Sequence, residues 1–225
     1  MRLRRLLLRV ALGILVVVGA YVLACVACLV ALRRVDPPTT ALQSQRRFEA
    51  WIARRPYTKQ YRPVPLARIS DHLEHAAIGA EDSRFLLHDG VDWEAVREAV
   101  EDNRRPGRAW RGGSTITQQL VKNLFLTSRG SIARKALEVP LAYAADAIVP
   151  KDRILELYLN VVEWGDGVYG AEAAARHHYG RSAAGLSRRE AARLAACLPS
   201  PRRRTPDRME RYGEVILDRM DRMGW

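Results

Sequence analysis

The chain opens with four arginines among its first nine residues, Arg2, Arg4, Arg5 and Arg9, and then carries no charge from Val10 to Leu32. As a helix that uncharged run would be about 34 Å long, enough to cross a hydrocarbon core of about 30 Å. A cleaved signal peptide has a shorter apolar region and a small-x-small cleavage site. The pattern therefore predicts an uncleaved transmembrane anchor over 10–32, after an N-terminal segment 1–9. Arg33, Arg34, Arg46 and Arg47 follow the span and nearly balance the first arginines. The free amino terminus tips the count toward N-terminus inside.

Asp36-Pro37-Pro38-Thr39-Thr40 breaks the helix and starts a linker, 33–65. Within it, Leu42, Phe48, Trp51 and Ile52 alternate with Gln and Arg. That spacing suits either a helix on the membrane surface or one packed on the following domain. From Leu66 the pattern is helical. Asp71 with Glu74 reads as a capped start, as do Thr115 with Gln118 and Ser187 with Glu190. Asp92 precedes a second helix, and Ser131 opens a long one to Val149. Pro150 suits the first turn of the next, and Gly180 closes an Ala-rich helix. Asp207 to Met223 is the last. No alternating strand pattern appears. The expectation is a mostly all-α domain over 66–225, preceded by one transmembrane helix.

Composition changes this picture little. The net charge of +12 implies an acidic partner such as anionic lipid, a phosphorylated substrate or nucleic acid. Only Lys59, Lys122, Lys135 and Lys151 are lysines, so 33 of the 37 basic residues are Arg. Codon bias alone can produce that excess, which weakens the charge total as an argument. Cys25 and Cys28 lie in the apolar run and read as small residues of a membrane helix rather than a redox or zinc pair. Cys197 stands alone, so the domain has no disulfide framework. His72 with His75, and His177 with His178, read as surface or packed histidines rather than a zinc site.

Four segments carry chemistry. Glu81-Asp82-Ser83-Arg84-Phe85 continues to His88 and Gly90, and puts two carboxylates at the end of an apolar helix. Helix C-termini disfavour negative charge, so raised pKa values are expected there, as a general acid or base needs. The bland alternative is a solvated turn. Arg111-Gly112-Gly113-Ser114-Thr115, leading to Gln118, Gln119, Lys122 and Asn123, places free backbone N–H groups beside hydroxyls. Such a turn can bind an anion, or can be a plain capped helix. In Arg134-Lys135-Ala136-Leu137-Glu138, Arg134 and Glu138 form either a helix-surface pair or a cation with a second carboxylate facing the first. The run from Lys151 to Gly180, with Glu156, Tyr158, Asn160 and several glycines, reads as mostly structural.

Taken in order, these segments make the chain resemble the monofunctional peptidoglycan glycosyltransferases. This is the module also found at the N-terminus of bifunctional penicillin-binding proteins. The resemblance is dense from Leu66 to Pro201, and its specificity lies in the ordered set of motifs. It implies a lysozyme-like, two-lobed helical glycosyltransferase domain on the outer face of a bacterial inner membrane. It also implies polymerisation of lipid II, the undecaprenyl-diphosphate-linked GlcNAc-MurNAc-peptide, into β-1,4 strands with release of undecaprenyl diphosphate. Glu81 matches the catalytic base that deprotonates the acceptor 4-hydroxyl, and Glu138 matches a second carboxylate at the donor side. Lys122, Arg134 and Lys135 match the basic residues around the diphosphate. Ser114, Thr115, Gln118 and Gln119 match the cleft-lining loop and helix. Asp82, Phe85 and His88 match the first motif as organisers.

No tightly bound cofactor is expected; a divalent cation could assist at the diphosphate, but no carboxylate cage is evident. Lipid II, the growing glycan and the membrane are the implied partners, with other cell-wall or division proteins compatible and nucleic acid not expected. Ser-x-x-Lys is absent, so no transpeptidase half is expected. Related enzymes place an Arg just after a glycine or acidic residue ahead of the Arg-Lys-x-x-Glu segment. Here Arg129 precedes Gly130, and no phosphate contact is assigned to it. Two other readings compete. A lytic glycosidase would share the acidic residue but needs neither the cations nor the anchor. A tethered nucleic-acid binder would need more lysine and interleaved aromatics.

Overall fold

The computed structural model describes residues 2–105, 112–128 and 130–225. Arg111 and Arg129 lie outside the described residues. The first helix, α1 (Arg2–Leu32), is unbroken, and it alone among the described residues is long and apolar enough to cross a membrane. Leu12, Ile14, Val17 and Leu23 are exposed on it. Cys25, Leu29 and Leu32, spaced to share one helix face, are instead buried, and α1 packs on α6 (Ile132–Ile148). The Tyr21 hydroxyl donates to the backbone carbonyl of Phe125. One face of the last third of the span thus packs on protein.

Of the two readings of the 33–65 segment, the structure has the helix packed on the domain. Residues 33–65 contain α2 (Ala41–Ile52) and β1 (Gln60–Tyr61), both integrated with the domain. Thr40 caps α2 by accepting from the Gln43 N–H. The helix packs on α5 (Ile116–Phe125), burying Leu42, Gln43 and Ala50 and leaving Phe48, Trp51 and Ile52 exposed. β1 pairs in parallel with β3 (Val168–Tyr169), which pairs antiparallel with β2 (Glu163–Gly165). Strands of two or three residues are too short to show an alternating pattern, which is why the sequence does not reveal this sheet.

The remaining elements are helical. They are α3 (Asp71–Glu81), α4 (Trp93–Asn103), α7 (Lys151–Val161), α8 (Ala171–Tyr179), α9 (Arg188–Ala195) and α10 (Glu210–Arg222). Most boundaries follow the capping signals. Thr115–Gln118 and Ser187–Glu190 form reciprocal capping boxes, Asp92 and Ser131 cap α4 and α6, and Gly180 adopts the left-handed conformation. Two boundaries differ. Ser70, not Asp71, caps α3, because its hydroxyl accepts from the His72 N–H. The last helix begins at Glu210, since 206–208 forms a short 3-10 turn. Helix α3 packs with α9 and α10, and α5 packs with α6 and α7. One continuous apolar core joins both groups, with Phe85, Tyr158 and Trp164 fully buried in it.

Candidate functional site

Glu81 is the last residue of α3 and is half-buried. Gln119 Nε2, one turn into α5, donates to Glu81 Oε2 at 2.7 Å. The buried Tyr158 hydroxyl, from α7, donates to Gln119 Oε1 at 3.4 Å. A hydroxyl–amide–carboxylate chain therefore orients one oxygen of Glu81. Burial raises the Glu81 pKa, while the Gln119 hydrogen bond and the Lys122 and Arg204 charges act against the rise. The helix end expected to raise it is itself neutralised: Arg219 of α10 donates to the Gly79 and Ala80 carbonyls.

Asp82 organises the junction. Its carboxylate accepts the Ile116 N–H at 2.9 Å and lies 3.0 Å from His88 Nε2. The Thr115 hydroxyl donates to the Gly90 carbonyl at 2.6 Å. Gly90 has φ +87°, and a Cβ there would stand 2.6 Å from the Ala142 carbonyl oxygen, so only glycine fits. Phe85 is buried with the Lys151 ammonium 4.8 Å from its ring centroid. Lys151 also donates to the His88 carbonyl at 2.6 Å and to Asp146 at 2.8 Å.

These contacts change the expected role of the Gly-Gly-Ser-Thr turn. The first N–H of α5 is taken by Asp82 and the Gln118 N–H by the Thr115 hydroxyl. The anion at this helix N-terminus is the protein's own carboxylate. Thr115 and Gln118 are buried and bonded to each other, and so hold the start of the helix. Ser114, which is half-buried, accepts from Lys135 Nζ at 3.2 Å.

Positive charge gathers beyond Gln119. Lys122 is on the same helix and makes no hydrogen bond or ion pair among the described residues. Burial lowers its pKa, while Glu138 and Glu81 raise it and Arg134 and Lys135 lower it further. Glu138 is buried and receives both Arg134 Nη1 and Lys135 Nζ. The Arg134–Glu138 pair is therefore part of a buried network rather than a helix-surface pair. Glu81, Lys122, Glu138, Arg134 and Lys135 thus share one electrostatic neighbourhood. Sequence reasoning did not single out Tyr158, Arg204 or Arg219. Only Tyr158 left a signal, a hydroxyl on the apolar side of a helix.

A family model described as "Transglycosylase" matches residues 49–221. The chain is 58% identical over 147 residues to a protein of Bordetella pertussis named biosynthetic peptidoglycan transglycosylase, covering 64% of this chain and 61% of that protein. It is 53% identical over 161 residues to one of that name from Herminiimonas arsenicoxydans, covering 70% of each. A third, from Pseudomonas fluorescens, is 48% identical over 186 residues, covering 83% of this chain and 77% of that protein. The matched part is thus about three-fifths of the Bordetella protein and about three-quarters of the Pseudomonas one.

Proposed function

The chain belongs to the transglycosylase family, and from that premise we propose that it polymerises lipid II into the β-1,4 glycan strands of peptidoglycan, releasing undecaprenyl diphosphate. The observation that carries this reading is the Glu81 carboxylate, held by Gln119 within electrostatic reach of Lys122. Glu81 Oε2 takes the Gln119 N–H, and Oε1 takes no hydrogen bond among the described residues. Oε1 accepts the proton of the acceptor 4-hydroxyl, and that oxygen attacks the anomeric carbon of the lipid-linked strand. The bond to the diphosphate breaks, and the α-linkage inverts to β. Charge grows on the departing diphosphate, where Lys122, Arg134 and Lys135 stabilise it; such fixed charge is commonly the largest catalytic contribution. Glu138 anchors Arg134 and Lys135 at the donor side.

No step is routed through a metal. Among the described residues no group of three His, Cys, Asp or Glu could hold one, and a divalent ion assisting here would ride on the diphosphate. Glycosyl transfer is the whole proposed chemistry, without transpeptidation. We place the chain in the bacterial inner membrane, N-terminus inside, with α1 retained: Cys25, Leu29 and Leu32 belong to the core of the domain, so cleavage after them would open it. Growing glycan and membrane are the proposed partners.

The test is incubation of the bilayer-reconstituted chain with lipid-linked disaccharide. Wild type should accumulate long strands and undecaprenyl diphosphate. Glu81→Gln keeps the Gln119 hydrogen bond but removes the base, and should lose about 10²–10⁴-fold in turnover with an unchanged circular dichroism spectrum. Near-normal turnover would exclude Glu81 as the base. Cleavage of finished cell wall in place of polymer would favour the lytic reading.

A further inference from the structure

We propose that a cavity between α2 and the Tyr57–Lys59 segment binds the phosphate headgroup of an anionic phospholipid of the surrounding bilayer. The cavity has a volume of about 700 Å³ and contains no carboxylate in its lining. Its polar groups are the Gln43 amide, the Arg47 guanidinium, the Lys59 ammonium and the hydroxyls of Thr39, Ser44 and Tyr57, and its apolar wall is aromatic.

Gln43 carries the first argument. It is 1% exposed. Lys59 Nζ lies 3.3 Å from Gln43 Oε1, and an ammonium can only donate. That contact fixes which end of the amide is oxygen. Gln43 Nε2 is then a buried donor, and it has no hydrogen-bond partner among the described residues. A buried donor of this kind calls for an acceptor.

Charge carries the second. Arg47 is exposed and makes no ion pair among the described residues. With Lys59 it places two cations beside the unpartnered amide, and no acid in the lining offsets them. A neutral sugar would need acceptors as well as donors; an anion needs only donors.

Position carries the third. Phe48 and Trp51 stack at 5.7 Å and are 58% and 72% exposed, which suits contact with glycerol and acyl carbons rather than water. Three contacts place this face beside the anchor. Tyr21 of α1 reaches Phe125; Gln45 of α2 bonds Ser128, three residues farther along; and Lys59 Nζ donates to the Pro38 carbonyl, just past the anchor, at 3.2 Å. A soluble anion would use the cations but leave the aromatic pair uncovered.

The inference goes beyond the glycosyl chemistry and is read by lipid retention, not by glycan. Full-length chain in neutral detergent would be titrated with phosphatidylglycerol and with phosphatidylcholine, and bound lipid measured by native mass spectrometry. Phosphatidylglycerol should bind roughly tenfold tighter, as expected for two cations at a lipid phosphate. Arg47→Glu and Gln43→Glu should each abolish the preference. Arg47 is at the surface, so its variant stands as a test even if the buried Gln43 variant misfolds. Equal retention of the two lipids, or an unchanged preference in Arg47→Glu, overturns the proposal. Displacement by equimolar inorganic phosphate, or stronger binding of undecaprenyl phosphate than of phosphatidylglycerol, overturns it in favour of a free-anion or carrier-lipid site.

Discussion

The proton affinity of Glu81 is a balance that can be taken apart. Burial pushes its pKa up, and the Gln119 hydrogen bond pulls it down by favouring the ionised form. A general base works only when deprotonated, so activity is lost as pH falls through the folded-state value. That value lies above the ordinary glutamate value of about 4.3. The stability sign is opposite: an acid whose folded pKa is raised favours the fold at low pH and loses that contribution as pH rises through the folded value. Gln119→Leu removes the hydrogen bond that opposes burial. The acid limb of kcat/KM should then move further upward in pH. A pH–rate profile superimposable on wild type would show that Gln119 does not tune Glu81. At this scale the sequence was informative about identity: Glu81, Gln119 and Lys122 were all marked by their motifs. The resemblance also put Thr115 and Gln118 on the cleft; the structure shows them buried as the cap of α5, and nothing local distinguishes a buried cap from an exposed one.

At the level of elements, the site is a junction of the end of α3, the start of α5 and the middle of α6. Asp82 ties the first two together, and two lysines near that junction do different work. Lys122 is unpaired among the described residues and lies in reach of both carboxylates. Lys151 is fully engaged, with His88, Asp146 and Phe85. Lys122→Ala should leave the melting temperature nearly unchanged and impair use of the lipid-linked donor. Lys151→Ala removes the donor to the His88 carbonyl and leaves Asp146 Oδ2 with the Thr117 hydroxyl alone, and should cost about 1–3 kcal/mol of stability for the carbonyl that loses its partner. Parallel thermal melts and donor titrations separate the two; equal loss of donor use at equal stability would remove the diphosphate role of Lys122. The helix starts were legible because a cap is a local hydrogen bond between residues three apart. The occupation of the α5 N-terminus by Asp82 was not, since it joins residues 34 apart in sequence.

For the whole molecule, the anchor is also a structural helix. Cys25, Leu29 and Leu32 are buried on a helix that packs against α6. A chain starting at residue 36 would lose that cover, whereas one starting at residue 22 keeps all three side chains. The shorter chain should self-associate in detergent-free buffer more than the longer one. Size-exclusion chromatography with light scattering reads this directly, and identical behaviour of the two would mean that the contact with α6 contributes little. The cavity proposed to bind phospholipid belongs to the same scale, because α2 and the chain on either side of it line it together.

The amino-acid sequence alone determined the apolar span, nearly every helix start and the order of the chemical motifs. These depend on periodicity and on contacts within one helical turn. Tertiary structure decided which polar groups remain free for chemistry. It engaged the turn before α5 with Asp82, left Lys122 unpaired among the described residues, and folded the 33–65 segment onto the domain. Each of these outcomes depends on which distant side chain reaches a buried donor or acceptor first, and no local pattern records that.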